Sequence, residues 1–525
     1  MSNSLTIYRL KAESVDAARL IDLSERIFEF DRAYELSEGG MSHVLRSGEL
    51  AVELDSASGG IWAANEAQLW KPSMQPKLLD EKGALDRANE IVRQRSLLPE
   101  LAKPFRFGEP IVGGTYFSMS REGKREDRRL DVQVVYPVMV GDLPVVGGGG
   151  DFTLILGDQG NVIGFSGVWR HARAAFEAAV VEPEQADEQF RAMTKAMKIL
   201  SVERSLAYYA APSRQEQEFL YPVYVYRGTA LFGDHPTPLR QIMLPATEFG
   251  PPVEFGKPQP PREKSPRRAR TRQRDRRRSY ATLAALNPFE AGTSWIGQSG
   301  GLPGSQANAQ GFVDELAASG WLINFNWGDA NAWESDWRRN DDNWVDAADF
   351  VFYTGHADMN GWVLSNPDDN FLSFTEVGNV PQSPGDLWGQ NDLEWVVIAA
   401  CGPLQDQILA SGGGDVFDRW DGAFDGLHIL LGYGAITFDN TEEGRRLVQY
   451  ARNGSTLIDS WFRAAKEIQP STNGAAAPDG PNVYVGAMWV GRDGIDPASD
   501  HGWGFGSVSA DPTSPTWYAA MWTLC

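Results

Sequence analysis

A set of nearly continuous apolar runs in the C-terminal half constrains the fold of this chain most. The runs read DFVFYTG, EWVVIAAC, GLHILLGYGA and NVYVGAMWVG. A strand that is apolar at every position, rather than at every second one, is typical of burial on both faces. Segments with helical spacing lie between the later runs. The sequence therefore predicts an α/β fold for residues 281–525, with a mainly parallel sheet covered by helices.

Two reactive side chains come directly after two of these runs. His356 follows DFVFYTG, and Cys401 ends EWVVIAAC. Ligands of open α/β sheets bind beyond the carboxyl ends of the strands, so we expect both side chains at one edge of the sheet. A thiol beside an imidazole forms a nucleophile with its general base, which attacks a carbonyl carbon and then protonates the leaving amine.

Backbone groups next to this pair are the candidate oxyanion hole, since small residues surround the thiol. The candidate donors are the N–H groups of Gly355, Ala357, Cys401 and Gly402. The alternative for Cys401 is a buried structural thiol, and the alternative for His356 is a hydrogen-bonded histidine at a strand end.

Nearby acids are candidates for substrate binding, namely Asp358 and the acids of the loop TFDNTEEG at residues 437–444, such as Asp439. No cofactor and no metal centre are expected. The Asp-rich stretch 327–349 offers oxygen ligands for Ca²⁺, but it lacks the spacing of a calcium loop, so we expect a solvated acidic loop. A second nucleophile motif, GQSGG around Ser299, needs a strand before it, and EAGTSWI reads as a poor strand.

Charge is unevenly distributed along the 525 residues, whose formal net charge is −22. Residues 281–525 carry 32 acidic and 9 basic side chains, which disfavours nucleic acid and anionic membranes as partners. The chain contains no apolar run long enough for a transmembrane helix. The N-terminus lacks the pattern of a signal peptide, so we expect a cytoplasmic location by default, with secretion left open. Cys525 is the last residue, and we expect it to be mobile and unbridged.

The sequence of the first half predicts two folded modules followed by a tether. Residues 1–105 read as an α+β module, and residues 106–250 as a β-meander with α+β character. Residues 251–280 read as a Pro- and Arg-rich disordered tether, with 11 basic and 2 acidic residues between Lys257 and Arg278. Such a tether is either a solvated linker or a segment that docks on the acidic domain beside it or is cut by a protease.

The two strand ends that carry His356 and Cys401 resemble those of a known protein family. FVFYTGHADMNG followed by WVVIAACGPL resembles the caspase, legumain and gingipain group of cysteine peptidases (clan CD), in which neighbouring strands end in the catalytic histidine and cysteine. Residues from about 280 to 520 resemble more closely an uncharacterised, largely bacterial family of unknown function with the same pattern. The resemblance implies a caspase-like three-layer sandwich, and it covers less than half of the chain.

The resemblance also implies a function, with two departures from the family pattern. It implies a cysteine endopeptidase acting on a peptide or protein, with Cys401 as nucleophile and His356 as general base. The order here is Gly-His-Ala, and Ala399 stands where an acid often selects basic substrates, so no preference for Arg or Lys carries over. Part of the first half resembles propeptides of secreted bacterial peptidases, which implies a zymogen with an inhibitory N-terminal half. The alternative is a catalytically inactive peptide- or glycan-binding protein on the same fold.

Overall fold

A computed structural model of the chain describes most of the sequence in atomic detail. It describes residues 4–29, 34–37, 40–250, 253–262, 289–365, 369–380, 383–409, 412–474 and 480–525. Among these residues, no helix is both long enough and apolar enough to cross a lipid bilayer.

The described elements form a mixed α/β structure. The helices are α1 (Ala17–Phe28), α2 (Glu81–Gln94), α3 (Pro183–Met193), α4 (Ser305–Ala318), α5 (Val416–Trp420), α6 (Glu443–Arg452) and α7 (Leu457–Ile468). The strands of the first half are β1 (Ser4–Ala12), β2 (Glu35–Ser37), β3 (Ser42–Ser47), β4 (Leu50–Asp55), β5 (Ile61–Asn65), β6 (Phe105–Phe107), β7 (Ile111–Gly113), β8 (Tyr116–Arg121), β9 (Lys124–Arg129), β10 (Val132–Val140), β11 (Leu143–Val146), β12 (Asp151–Leu156), β13 (Val162–Gly167), β14 (Arg170–Ala179), β15 (Lys198–Tyr209), β16 (Phe219–Phe232), β17 (His235–Pro238) and β18 (Ile242–Pro245). Those of the second half are β19 (Glu290–Trp295), β20 (Leu322–Gly328), β21 (Phe350–Thr354), β22 (Ala357–Asp358), β23 (Gly361–Val363), β24 (Phe371–Ser373), β25 (Gly378–Val380), β26 (Ser383–Asp386), β27 (Trp395–Ala399), β28 (Ile429–Tyr433), β29 (Tyr484–Gly491) and β30 (Trp517–Leu524).

The C-terminal half is built on a sheet with the order β20-β19-β21-β27-β28-β29-β30-β8-β9. Neighbours are parallel from β20 to β28 and antiparallel from β28 to β9. The sheet is therefore mixed, whereas the sequence predicted a mainly parallel one. The apolar runs of β29 and β30 do not distinguish the two directions, because antiparallel strands that are buried on both faces carry the same pattern.

Each face of this sheet has its own core. On one face, Phe350 and Phe352 of β21 belong to a core that includes apolar residues of α4, α6 and α7. On the other face, Val351 and Tyr353 of the same strand pack with tryptophans from the connections between β20 and β28. Burial on both faces explains why the strands are continuous apolar runs.

In the described part of the N-terminal half, 16 strands form one sheet that joins both predicted modules. Strand β5 of residues 1–105 pairs with β13, and β1 pairs with β14 and β16. The expected boundary at residue 105 is therefore bridged by hydrogen bonds. The hairpin β8–β9 leaves this half altogether, and β8 pairs with β30 of the C-terminal sheet. Long-range pairing of this kind has no signature in the local pattern of either strand.

Several local expectations were wrong. The stretch EAGTSW is a central, fully buried strand, β19. Acids in the stretch 327–349 are largely buried, including Glu334 and Asp336, because nearby arginines and backbone N–H groups contact them. Cys525 is buried, and its N–H donates to the carbonyl of Val483.

The predicted tether is partly ordered. Residues 253–262 lie against the C-terminal half, where Arg262 binds Asp336. The Arg-rich remainder of the predicted tether, from residue 263 onward, lies outside the described residues, as do residues 251 and 252.

Candidate functional site

Strands β21 and β27 place the two predicted reactive residues at one edge of the sheet. The two strands are parallel neighbours, with Thr354 opposite Ala399. His356 follows the first strand and Cys401 follows the second, and both are fully buried. The strand-end argument therefore located both residues correctly along the sheet.

Both ring nitrogens of His356 are occupied. Nε2 lies 2.8 Å from the carbonyl oxygen of Gly300, and Nδ1 accepts a hydrogen bond of 3.1 Å from the backbone N–H of Arg240. Because a carbonyl only accepts and an N–H only donates, the ring is the neutral tautomer with its proton on Nε2. Burial lowers the pKa of His356 to about 4, so the imidazole stays neutral near pH 7. Nδ1 is thus the basic nitrogen, and its lone pair is covered by Arg240.

A glycine allows the contact that orients the ring. A Cβ on Gly300 would lie 2.7 Å from Cγ2 of Ile296 and 3.2 Å from Cδ2 of His356, which is too close for a side chain. Phe232 of the N-terminal half covers the imidazole from another side, with ring centroids 5.4 Å apart.

Thr437, in the connection that follows β28, contacts the thiol of Cys401. Sγ accepts a hydrogen bond of 3.3 Å from the N–H of Thr437 and lies 3.7 Å from its hydroxyl. The same hydroxyl accepts from Nε of Arg240 at 3.0 Å. Arg240 therefore contacts His356 through its backbone and reaches the neighbour of Cys401 through its side chain.

Arg240 comes from the N-terminal half, from the link between β17 and β18. Its side chain is fully buried and its Nη1 donates to Thr354 Oγ1 at 2.8 Å. Its Nη2 forms a buried ion pair of 3.1 Å with Glu443. Although burial opposes the charge, Glu443 and Asp439 hold the pKa of Arg240 above its ordinary value. The link is also paired like a strand, since Gln241 donates to Thr437 O and accepts from Asp439 N–H.

Glu443, the first residue of α6, is the hub of this buried polar network. Besides Arg240, its carboxylate accepts from the hydroxyl of Tyr433 at 2.7 Å, from Asn308 at 3.1 Å and from Gln469 at 2.6 Å. A carboxylate at a helix N-terminus is also favoured by the helix dipole. Four donors on one buried carboxylate satisfy its lone pairs, which is what a buried charge requires.

The predicted oxyanion donors differ in their availability. Gly355 and Ala357 flank His356 and are buried. The N–H of Gly402 donates to the carbonyl of Ala435 at 3.1 Å, so it is engaged in the present arrangement. Gly402 also has a φ of +75°, which favours glycine.

The two candidate acids have different roles. The carboxylate of Asp358 accepts from the backbone N–H of Asn360 at 2.7 Å and closes a local turn, and burial raises its pKa. Asp439 accepts from the N–H of Gly304 at 2.7 Å, and burial raises its pKa to about 6. Asp439 also lines a cavity of about 270 Å³ between the two halves, together with Phe438 and Ile242.

Ser299, the alternative nucleophile, is held by an acid. Its N–H and hydroxyl both donate to Oδ1 of Asp329, at 2.9 and 2.7 Å. The motif GQSGG does lie at the same sheet edge, where Gly300 supplies the carbonyl that orients His356.

The sequence did not single out Arg240 or Thr437, and it offered Glu443 only as one acid of a loop that was a candidate for substrate binding. An arginine in the run PTPLRQIML and a glutamate in TEEGRR have no local pattern that distinguishes them from surface charges. Their role depends on the contact between the halves, which is a tertiary property.

The site belongs to a mixed α/β protein that carries a histidine and a cysteine at adjacent strand ends. Residues 290–524, from β19 to β30, match a family model described as a domain of unknown function (DUF6345). The match includes His356, Cys401 and Glu443 and excludes Arg240. No curated protein matches the chain.

Proposed function

We propose that the C-terminal half is a cysteine peptidase-like hydrolase of caspase-like fold that is held in a latent state. The observation that carries the proposal is the placement of His356 and Cys401 beyond the ends of adjacent parallel strands, with the Arg240 link lying across both. In the active state, Nδ1 of His356 would take the proton of the Cys401 thiol. The thiolate would attack the carbonyl carbon of a peptide bond, and the same proton would go to the leaving amine. Water would then hydrolyse the thioester.

The tautomer of His356 supports this assignment of roles. The hydrogen bond from Nε2–H to Gly300 fixes the ring and leaves Nδ1 as the basic nitrogen, which is how a partner of one nitrogen prepares the other. In the present arrangement Arg240 N–H occupies Nδ1. Displacement of residues 239–241 would expose the base and Thr437 together.

The form of inhibition follows from the fold. An N-terminal half that leaves as a whole is disfavoured, because β8 is paired along β30. We propose instead that only the β17–β18 link moves. The cavity beside Asp439 would then continue into the site and receive part of the substrate.

The experiment measures alkylation of Cys401 by iodoacetamide, mapped by mass spectrometry, in the full-length protein. The test variant combines Arg240→Gly with Glu443→Gln, so that no buried carboxylate is left unpaired. We expect its Cys401 to react about tenfold faster than that of the wild type at pH 7, because the freed Nδ1 of His356 can then take the thiol proton. Adding His356→Ala should reverse the gain.

A matched control removes a partly exposed ion pair between β15 and β16, through Arg227→Gly with Glu203→Gln. This control should leave the alkylation rate unchanged. Hydrolysis of a mixture of quenched fluorescent peptides should appear in the test variant and disappear with Cys401→Ala. Alkylation that does not depend on His356, or a test variant without hydrolysis, would reject the enzyme.

A second candidate is the inactive peptide-binding protein. It is favoured by the saturation of the site, since both nitrogens of His356 and the thiol of Cys401 have protein partners. A glycan-binding role has less support, because no tryptophan is among the exposed large apolar side chains of the described residues. Under this alternative, Cys401 stays inert in every variant.

A further inference from the structure

A short segment before the Arg-rich stretch lies in a groove on the C-terminal half. The groove is formed by the end of β20 and the turns that follow it. Its occupant is Gln259-Pro-Pro-Arg262, from the chain's own sequence. Residues 326–336 of the groove form hydrogen bonds with this segment.

Arg262 enters a cage of aromatic rings with an acid at its base. Its guanidinium carbon lies 3.7 Å from the ring centroid of Trp333, 4.8 Å from that of Trp327 and 5.5 Å from that of Trp344. Both terminal nitrogens bind Asp336, Nη1 to Oδ2 at 2.6 Å and Nη2 to Oδ1 at 2.9 Å. The side chain of Arg262 is 5% exposed, and that of Asp336 is 0% exposed.

This geometry matches a guanidinium better than an ammonium. A planar fork binds both oxygens of one carboxylate at once, whereas a lysine presents a single point charge. The flat face of a guanidinium also stacks on an indole ring, and such cation–π contacts strengthen where water is excluded. The cage therefore selects arginine on two independent grounds.

The side chain of Asn331 forms hydrogen bonds with the backbone of the segment. Its Nδ2 donates to the carbonyl of Pro260 at 2.8 Å, and its Oδ1 accepts from the N–H of Arg262 at 2.9 Å. One amide thus recognises two peptide groups of an extended chain, whatever their side chains. The two prolines between Gln259 and Arg262 favour an extended polyproline conformation, which lowers the entropy lost on binding.

The groove also recognises the side chain of Gln259. Its Oε1 accepts from the N–H of Gly328 at 2.8 Å, and its Nε2 donates to the carbonyl of Asn326 at 3.0 Å. A donor and an acceptor placed for both ends of one amide are specific for glutamine or asparagine at this position. Gln259 and Arg262 are three positions apart, so the groove reads the pattern Gln-x-x-Arg.

We propose that this groove is a peptide-binding site for extended Gln-x-x-Arg segments, with residues 259–262 as its resident ligand. A peptide of the same kind can occupy the site when the resident segment leaves. The proposal does not depend on the hydrolase, because the residues that bind the ring of His356, Gly300 and Arg240, lie outside the groove and its resident segment.

The test uses a full-length receptor in which Gln259→Ala and Arg262→Ala remove both side chains that hold the resident segment. The probe is a fluorescein-labelled peptide of residues 255–264, measured by fluorescence anisotropy. We expect saturable binding to the receptor and binding at least about tenfold weaker to the wild type, whose groove is occupied. Replacing the peptide's arginine by lysine should weaken binding about tenfold, the value of one charge-assisted hydrogen bond.

Two variants of the receptor test the cage itself. Asp336→Asn and Trp333→Leu should each weaken binding of the arginine peptide, while the control Glu203→Gln, on the far exposed surface of β15, should not. A folded receptor that binds no peptide would overturn the proposal. Equal binding of the arginine and lysine peptides, or binding that survives Asp336→Asn, would also overturn it.

A second measurement covers the case in which the double variant does not fold. In the single variant Arg262→Ala, methylguanidinium at millimolar concentration should raise the melting temperature, because it fills the vacated cage. Methylammonium should not, and neither compound should stabilise the wild type. Equal effects of the two cations on Arg262→Ala would reject the cage as an arginine site.

Discussion

A single buried arginine, Arg240, contacts one of the two predicted reactive residues and the partner of the other. Arg240 covers Nδ1 of His356 with its backbone and holds Thr437, the partner of Cys401, with its side chain. A buried charge of this kind is tolerated only because Glu443 and neutral acceptors surround it. At the scale of residues, the proposed latent state would therefore depend on electrostatic contacts as much as on steric ones.

The first prediction concerns that ion pair. Glu443→Gln should destabilise the protein by about 3–5 kcal/mol, because it leaves the Arg240 charge buried without its partner. Denaturant unfolding followed by circular dichroism measures the change. Adding Arg240→Met to Glu443→Gln should restore much of the loss, since neither charge then remains. Glu442→Gln, one residue earlier and partly exposed, is the control and should change stability little; an equal loss in this control would contradict the assignment.

At the scale of elements, one long connection depends on a histidine that the sequence did not single out for this role. The connection between β29 and β30 contains Asp500 and Asp511, and His428 precedes β28. Nδ1 of His428 lies 2.5 Å from Asp500 Oδ2, and Nε2 lies 3.5 Å from Asp511 Oδ1. His428 is fully buried, and its contacts with the two carboxylates anchor this connection.

The second prediction is a pH dependence of stability through His428. Burial opposes its charge, yet the hydrogen bond to Asp500 and the nearby carboxylate of Asp511 raise the pKa of His428 above its ordinary value of 6.5. A pKa that is higher in the folded state gives stability that is fully present below about pH 6.5 and is lost as the pH rises through the folded pKa. His428→Gln should therefore be less stable than the wild type by about 3 kcal/mol at pH 6, with a difference that narrows towards pH 9.

Unfolding at a series of pH values checks this prediction. His501→Gln, in the same connection, is the control and should give a difference from the wild type that does not vary in this way. A His428→Gln deficit that stays constant between pH 6 and pH 9 would show that packing, rather than charge, explains the loss.

At the scale of the whole molecule, the two halves are interlocked rather than linked in series. The hairpin β8–β9 of the N-terminal half extends the C-terminal sheet. Arg240 of the N-terminal half likewise forms an ion pair with Glu443 of the C-terminal half. Charges also join the halves, since Arg463 of α7 binds Glu53 of β4. Although burial alone would raise it, Arg463 and Arg214 lower the pKa of Glu53 to about 2.

The third prediction follows from this interlocking. A site for a sequence-specific protease is placed within residues 265–276, and the purified protein is cut to completion. The two fragments should elute as one species in size-exclusion chromatography, because strand pairing and buried ion pairs hold them together. Denaturing electrophoresis should show two bands from the same sample. Two separate peaks under native conditions would contradict the interlocked arrangement. They would support instead the hypothesis that the N-terminal half is a pro-region that dissociates after cleavage.

The sequence predicted elements better than it predicted their assembly. The runs ending at Thr354 and Ala399 are parallel neighbours as expected, because burial on both faces leaves an unmistakable apolar pattern. The strand EAGTSW was missed, since its small and polar residues lack that pattern. The acids between residues 327 and 349 were expected in solvent, because a carboxylate that is buried by an arginine elsewhere in the chain looks the same as an exposed one.

The sequence by itself determined the α/β class of the C-terminal half and the places of His356 and Cys401 at its strand ends, because local hydrophobic pattern governs which segments become buried strands. Only the tertiary structure decided which charges meet in the interior. Arg240 reaches Glu443, and Arg262 reaches Asp336, across long separations in the chain. The physical reason is that the energy of a buried charge depends on its partner in space, and no local pattern records that partner.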